Sequence, residues 1–325
     1  MKPRRPASGV LSLAAALPLL LTACTSSGQA STTPQAESGR LTVVATTSVL
    51  GDVVANVVGD AATVEVVLPI GADPHDYQPS ARQLGVVNEA DLVVANGLRL
   101  EEGLVDAVES AEADGANVLE VAPLVDPIPL DAAGPAGDGC DPTEERGGTR
   151  RCDPHVSADP VRMAAAARII AAELAALDDS VDWEGNAERY AQELLAADEE
   201  IAATLEAVSD DRRLLVTNHD SLGYFADRYG FEVVATVIPG GTTLGVPSSA
   251  ELADLVAVIG ATGVPAIFAE NIEPSTLAEA VAAEVGEGVA VVELYTDSLG
   301  EPGSGADTLI GMLLTNATRI AGALA

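Results

Sequence analysis

The sequence predicts an α/β protein with two lobes, each built on a parallel β-sheet, joined by one long helix. Short apolar runs alternate with amphipathic segments along most of the 325 residues, a pattern typical of βαβ units. Hydrophobic residues make up 48% of the chain and aromatic residues only 3%, so small aliphatic side chains are expected to form the core. Residues 182–208 are rich in Ala, Leu and Glu and separate the two alternating halves, which predicts the linking helix.

Residues 1–23 are predicted to be a signal peptide. Three basic residues precede an apolar run, 10–21, that is too short to span a membrane. The run ends in Leu21-Thr22-Ala23-Cys24, which resembles the lipobox of bacterial lipoproteins. By that resemblance Cys24 carries lipid and begins the mature chain; an ordinary signal peptide with a chance cysteine is the alternative. Residues 24–40 are then the lipidated cysteine and a flexible polar tether.

The N-terminal lobe is expected to cover residues 41–181. Helices are expected between its strands, and Ser80 is a suitable N-cap for one of them. A further helix is expected to begin at about Asp159, with Pro160 in its first position. The four apolar runs that predict buried strands are 41–47, 63–68, 91–96 and 117–121.

A polar segment, 126–151, interrupts this lobe and is rich in Gly, Pro and Asp. It contains Cys140, and Cys152 follows it directly. If Cys24 carries lipid, these two cysteines remain, and in an exported chain a disulfide is the natural pairing. A Cys/Cys/His metal site that includes His155 is the alternative. We expect a surface loop that the disulfide pins.

Residues 209–325 repeat the alternation and are expected to form the C-terminal lobe. Ser248 or Ser249, with Glu251 close behind, predicts a capped helix start. The predicted strands are 213–217, 232–237, 266–268 and 290–294, and the predicted helices cover 220–229, 248–259, a segment from Glu273 onward, and 306–323.

The charge of the chain limits its partners. Its formal net charge is −34, from 50 acidic and 16 basic residues. This argues against nucleic acid or an anionic surface as partner, because both would repel the protein.

Apart from the signal peptide, no segment is long and apolar enough to cross a bilayer, so the lipid on Cys24 would be the only membrane anchor. We expect a monomer.

The three histidines of the chain, His75, His155 and His219, all lie in turn-like sequence after apolar segments, and Asp297 follows the last predicted strand. Ligands of open α/β sheets bind at the carboxyl ends of the strands. Two candidate ligands in each half place a site in the cleft between the lobes. Three neutral imidazoles and one carboxylate make a closed four-coordinate shell for Zn²⁺. A second oxygen of Asp297 would give five-coordination and make Mn²⁺ feasible.

Four segments resemble, in order, the metal-ligand motifs of the zinc/manganese solute-binding proteins of bacterial ABC transporters. They are His75-Asp76-Tyr77-Gln78-Pro79-Ser80, Asp153-Pro154-His155-Val156, Asn218-His219-Asp220-Ser221-Leu222-Gly223-Tyr224-Phe225 and Thr296-Asp297-Ser298-Leu299-Gly300. A fifth segment, Asn96-Gly97-Leu98-Arg99-Leu100-Glu101, is similar to another that recurs in this family. The match runs from about Leu41 to the C-terminus.

The resemblance implies that His75, His155, His219 and Asp297 are the metal ligands and that one rigid helix joins the lobes. It implies a lipid-anchored receptor on the outer face of the cell membrane that captures a metal and hands it to an ABC permease. A histidine at the third position is more usual in zinc binders, whereas manganese binders often have Glu there. His219 therefore favours zinc, with a manganese-specific receptor as the alternative.

Two features depart from the family pattern. Ser157 stands where an aromatic residue is common, and the segment 126–151 has no histidine where many zinc binders have a His-rich loop.

The affinity for metal is expected to depend on pH. Because imidazoles must be neutral to bind metal, the affinity is expected to decrease when the pH drops below the histidine pKa, near about pH 6.

Two other functions, a zinc hydrolase and a surface adhesin, fit the sequence less well than metal uptake. A zinc hydrolase keeps an open water position beside three protein ligands, whereas four ligands here fill the shell, so no enzyme is expected. A surface adhesin is compatible with the tether, but no repeat or exposed apolar stripe in the sequence supports it.

Overall fold

The computed structural model describes residues 40–130, 140–141, 151–286 and 288–325. The predicted signal peptide, Cys24 and nearly all of the tether therefore lie outside the described residues, as does most of the segment 126–151. Among the described helices, none combines the length and hydrophobicity that a membrane span requires.

The N-terminal lobe is a four-stranded parallel sheet in the order β2-β1-β3-β4. Its central strands are buried because their side chains are Val, Leu and Ala on both faces, as expected for a sheet covered by helices. The strands are β1 Thr42–Ala45, β2 Thr63–Val66, β3 Leu92–Ala95 and β4 Val118–Glu120. Helices α1 Ser48–Val58, α2 Ala81–Asn88, α3 Val105–Ala113 and α4 Pro160–Leu177 complete the lobe.

Side-chain caps begin three of these helices. The Thr47 side chain accepts a hydrogen bond from the backbone N–H of Leu50 at the start of α1. Ser80 and Gln83 form a capping box at α2, as the sequence suggested for Ser80. Asp159 caps α4 and Pro160 occupies its first turn, where its missing N–H costs nothing.

Helix α5, Trp183–Leu205, links the two lobes and has 23 residues, which makes it about 35 Å long. Its first half binds α1, because the Tyr190 hydroxyl donates to Asp52 Oδ2 at 2.8 Å. Its second half binds the C-terminal lobe, because Asp198 pairs with Arg228 and accepts a hydrogen bond from the Tyr229 hydroxyl. The helix is shorter at both ends than the predicted 182–208. A separate helical turn follows it at Asp210–Arg212.

The C-terminal lobe repeats the architecture with a four-stranded parallel sheet in the order β6-β5-β7-β8. The strands are β5 Leu214–Thr217, β6 Glu232–Thr236, β7 Ala266–Glu270 and β8 Ala290–Leu294. The helices are α6 Gly223–Tyr229, α7 Ser249–Thr262, α8 Thr276–Val285 and α9 Leu309–Leu324. Ser248 and Glu251 form the predicted capping box at α7.

Several further element boundaries differ from the predictions, and three of them lie close to the site or to its supporting residues. Helix α6 begins at Gly223 and not at Asp220, because residues 220–222 form a turn in which the Asp220 N–H donates to the Gly240 carbonyl. Helix α9 begins at Leu309, where Thr308 caps it. Strand β7 extends two residues beyond the predicted 268, to Glu270.

One hydrophobic cluster contains buried residues of both lobes and of α5, including Trp183, Tyr190, Leu194 and Ile201. The predicted class, two parallel-sheet lobes joined by a long helix, is confirmed. Because the lobes share a packed core, large rotations of one lobe against the other would expose apolar surface and are unfavourable. Motion of the site is therefore expected in its loops.

Candidate metal centre

The four predicted ligands meet at one point between the lobes. His75 lies in the loop between β2 and α2, His155 precedes α4, His219 follows β5, and Asp297 follows β8. One ligand atom from each of the four side chains lies within 4.8 Å of the others. The structure thus brings together residues that are separated by up to 222 positions in the chain (297 minus 75).

The distances between the ligand atoms match a small four-coordinate shell. His155 Nε2 lies 3.1 Å from His219 Nε2 and 3.4 Å from His75 Nε2. Asp297 Oδ2 lies 3.6 Å from His219 Nε2 and 3.8 Å from His155 Nε2. A tetrahedron with metal–ligand bonds of about 2.0–2.1 Å has edges of about 3.3 Å. These four atoms could therefore surround Zn²⁺ after small adjustments.

The site is closed to solvent. The exposed fractions are 2% for His75, 1% for His155, 0% for His219 and 3% for Asp297. Asp297 Oδ2 is buried and has no hydrogen-bond partner among the described residues. A buried oxygen without a partner is costly, and a bound cation would remove that cost.

The turn that carries Asp297 is strained and held in place. Asp297 has φ +55°, in the left-handed region that costs a non-glycine residue about 1–2 kcal/mol. Asn271 spans the turn, because its Oδ1 accepts from the Thr296 N–H and its Nδ2 donates to the Ser298 carbonyl. Strain of this kind is typical of binding sites, where the surrounding structure fixes a side chain in one position.

Two of the imidazoles are oriented by buried carboxylates. His155 Nδ1 lies 2.7 Å from Asp153 Oδ1, and His219 Nδ1 lies 2.7 Å from Glu270 Oε2. Such pairs place the proton on Nδ1 and leave Nε2 as the ligand atom. In both residues Nε2 is the atom that points into the cluster.

Sequence reasoning missed both carboxylates as functional residues. Asp153 belongs to the second motif but received no role, and Glu270 lay beyond the predicted end of β7. An acidic residue at the carboxyl end of a buried apolar strand was the available signal for Glu270, because such ends carry the ligand side chains in this fold.

The charges of the cluster shift the pKa values of the histidines in opposite directions. Burial opposes the charged form of His155, but Asp297 and Asp153 outweigh it and raise its pKa to about 9. Burial likewise opposes charge on His219, and Glu270 is the main group that raises its pKa. Burial and the two neighbouring histidines lower the pKa of His75 to about 2. The buried carboxylates thus favour the charged forms of His155 and His219, whereas His75 stays neutral.

Buried polar groups fix the segment that carries His155. Asn96 Nδ2 donates to the Pro154 carbonyl at 2.9 Å, and the Tyr224 hydroxyl, from the other lobe, donates to the Asp153 carbonyl at 2.7 Å. Cys152 adjoins this segment and forms a disulfide with Cys140, with an S–S distance of 2.01 Å. Because both sulfurs are bonded to each other, His155 shares its site with the other histidines and not with thiolates.

The chain is similar to proteins that are named for metal binding and transport. The family described as zinc-uptake complex component A, periplasmic, matches residues 43–323. The manganese-binding lipoprotein MntA of Halalkalibacterium halodurans is 31% identical over 278 residues, 85% of this chain and 86% of that protein. The iron ABC transporter substrate-binding lipoprotein MtsA of Streptococcus pyogenes is 26% identical over 313 residues, 94% of each chain.

Solved structures show the same fold. The periplasmic zinc-binding protein TroA of Treponema pallidum superposes with a TM-score of 0.77 at 28% identity, covering 88% of this chain and all of that one. The chain belongs to the family of zinc-uptake complex component A, whose members are metal-binding substrate-binding proteins of ABC transporters and not enzymes.

Proposed function

We propose that this protein captures a divalent transition metal, zinc by preference, outside the cytoplasm and delivers it to an ABC permease for uptake. His75, His155, His219 and Asp297 are the proposed ligands. The observation that carries the proposal is the convergence of three imidazole nitrogens and one carboxylate oxygen within 4.8 Å of one another, with four of the separations at 3.1 to 3.8 Å. The metal is the cargo, so a closed shell without an open coordination position suits the task.

The ligand atoms favour zinc over manganese. Three imidazoles and one carboxylate suit the tetrahedral preference of Zn²⁺, whereas Mn²⁺ prefers oxygen-rich octahedral sites. The relatives are named for manganese, iron and zinc, so the preference rests on the ligands of this chain. Manganese, through a second oxygen of Asp297, is the alternative cargo.

The metal preference is tested by competition with a chromophoric chelator. We expect one equivalent of Zn²⁺ to bind, with an affinity orders of magnitude above that for Mn²⁺. His219→Ala should lower the zinc affinity by orders of magnitude while the far-ultraviolet circular dichroism spectrum remains that of the folded protein. Unchanged zinc affinity in this variant would reject the site, and tighter binding of Mn²⁺ would reject the metal.

Delivery to a permease is tested in cells. A strain that lacks this protein should grow poorly in metal-depleted medium and recover when zinc is added. Restoration by the wild-type gene but not by the His219→Ala gene would tie growth to the site. Recovery with manganese and not with zinc would favour the alternative cargo, and normal growth of the deletion strain on scarce metal would argue against uptake.

The membrane anchor is proposed to be a lipid on Cys24. Relatives such as MntA and MtsA carry the name lipoprotein, and the N-terminal segment resembles a lipobox. The chain would then act as a monomer on the outer face of the cell membrane. Cys24→Ser should abolish incorporation of labelled fatty acid and release the protein from the membrane fraction; retention of both would contradict the anchor.

A further inference from the structure

Within the described part of the chain, only two of the three histidines have a carboxylate within hydrogen-bond distance of Nδ1. His155 and His219 each have a carboxylate oxygen 2.7 Å from Nδ1. His75 Nδ1 is buried and has no hydrogen-bond partner among the described residues, and the nearest carboxylate oxygen, Glu102 Oε1, lies 3.6 Å away. His75 Nδ1 and Glu102 Oε1 are therefore close to each other, but they do not form a hydrogen bond.

Glu102 is close enough to His75 to form the missing hydrogen bond after a small movement. The preceding residue, Glu101, is buried and fixed, because its carboxylate accepts from the Thr46 hydroxyl and from the backbone N–H groups of Asn96 and Gly97. The Glu102 side chain itself is 33% exposed, so its carboxylate is less confined than that of Glu101. Shortening 3.6 Å to the about 2.8 Å of a charge-assisted hydrogen bond requires a shift of only about 0.8 Å.

The same oxygen of Glu102 is bound from the opposite lobe. Thr242 Oγ1 donates to Glu102 Oε1 at 2.9 Å. The next residue, Thr243, donates to Asp73 Oδ2 at 2.5 Å, and Asp73 Oδ1 accepts the backbone N–H of His75 at 2.9 Å. Two adjacent threonines thus contact the two carboxylates that flank His75.

These threonines lie on one surface loop, residues 239–247, which we call the threonine loop. Pro239 and Pro247 bound it, and three glycines within it give its backbone freedom to move. Its Leu244 is 51% exposed and Val246 is 91% exposed. The loop therefore contacts the His75 side of the site with one face and solvent with the other.

We propose that Glu102 is a positioning residue that completes a hydrogen bond with His75 when metal binds, and that its bond to Thr242 couples metal occupancy to closure of the threonine loop. This inference rests on the proposed function. When His75 Nε2 ligates a metal, Nδ1 must carry the proton, and the polarised N–H requires an acceptor. Glu102 supplies it and, through Thr242, holds the loop against the loaded site.

Nuclear magnetic resonance of the zinc-loaded protein detects the hydrogen bond between His75 and Glu102 directly. The chain has only three histidines, and all three lie in the site, so labelled imidazoles give three spin systems. We expect all three Nδ1–H protons to show the downfield shifts of carboxylate hydrogen bonds. Glu102→Ala should move only the His75 signal upfield, whereas the matched change Glu109→Ala, at an exposed position on α3, should move none.

Metal exchange tests the coupling. Glu102→Ala should weaken zinc binding about 10- to 100-fold, as is typical for residues that orient metal ligands, and Glu102→Gln, which keeps an acceptor oxygen, should restore part of the affinity. Thr242→Val should speed transfer of zinc to a chelator several-fold. In the Glu102→Ala background the same Thr242 change should add nothing, because both residues act through one oxygen.

Either of two results would overturn the inference. One is a His75 Nδ1–H signal that Glu102→Ala leaves in place; the other is additive effects of the Glu102 and Thr242 changes on zinc release. If Glu102→Ala binds zinc normally while His219→Ala does not, the inference fails and the proposed function stands. If neither change affects zinc binding, the proposed function fails as well.

Discussion

The Nε2 atoms of His155 and His219 lie 3.1 Å apart, although one histidine follows the N-terminal sheet and the other the C-terminal sheet. Each ring is fixed from behind by a carboxylate, at Asp153 and at Glu270. The two nitrogens therefore face each other because the fold orients them, and a cation between them would satisfy both.

The orienting carboxylates should matter almost as much as the ligands. Glu270→Gln and Asp153→Asn keep the size of the side chain but remove the charge that fixes the imidazole proton on Nδ1. We expect each change to lower zinc affinity about 10- to 100-fold, measured by chelator competition. Affinity equal to that of the wild type in both variants would show that the pairs do not orient the ligands.

Asp297 should matter little to the metal-free protein and be essential to the loaded one. Its Oδ2 is buried without a hydrogen-bond partner among the described residues, and burial raises the pKa of the carboxyl although His155 and His219 oppose that shift. Asp297→Asn should therefore change the stability of the metal-free protein only slightly, because the lost attraction to His155 offsets the relief of the unpartnered oxygen, while zinc affinity falls by orders of magnitude. Thermal melts with and without zinc check both expectations.

Asp114→Asn provides the control for that experiment, because Asp114 is exposed at the end of α3 and far in sequence from every ligand. It should change neither the melting temperature nor the zinc affinity. A large destabilisation of the metal-free protein by Asp297→Asn would contradict the view that this carboxylate is unsatisfied without a cation.

Zinc binding should release protons at neutral pH. The pKa of His155 is raised to about 9, so this ring carries a proton at pH 7 that a metal must displace. The pKa of His219 is raised as well. His75, with a pKa lowered to about 2, contributes none. Affinity should therefore rise with pH from 7 to about 9 and level off above it. The raised pKa of His155 therefore predicts that competition by protons begins at a higher pH than the value near about 6 expected from the sequence.

The number of protons follows from titration calorimetry in buffers of different ionisation enthalpy. We expect at least about one proton released per zinc at pH 7. An apparent enthalpy that is independent of the buffer, or an affinity that is flat between pH 7 and 9, would contradict the assignment of these protons.

The disulfide should stabilise the fold more than it supports the site. In the chain-entropy model, a loop of the size that Cys140 and Cys152 close contributes about 3 kcal/mol to the free energy of unfolding. The double change to serine should lose about that amount in urea unfolding. Zinc affinity should change by a few-fold at most, because Tyr224 and Asn96 still hold the segment of Asp153 and His155.

Reductant is the matched control here, since it should destabilise the wild type and leave the double serine variant unchanged. A loss of zinc affinity by orders of magnitude in that variant would mean that the disulfide, and not the hydrogen bonds, positions His155.

The sequence was most informative where one residue type is rare. His75 and His219 follow β2 and β5, and parallel strands bring their carboxyl ends to one rim, so the position of the site could be predicted. His155 follows a polar segment, and the resemblance of its motif, not a preceding strand, assigned it to the site. Glu270 and Glu102 could not be found in this way, because their partners lie on segments distant in sequence and acidic residues are abundant in this chain. Helix α3 was not specified either, since its Val105–Ala113 segment is short and only weakly amphipathic.

The coordination of zinc is the most direct test of the central claim, that three histidines and Asp297 bind the metal. X-ray absorption at the zinc edge, on protein loaded with one equivalent, measures it. We expect four nitrogen and oxygen ligands at about 2.0–2.1 Å, with the scattering of three imidazoles. Because the chain has no other histidines, fewer than three imidazoles, or sulfur ligands at about 2.3 Å, would contradict it.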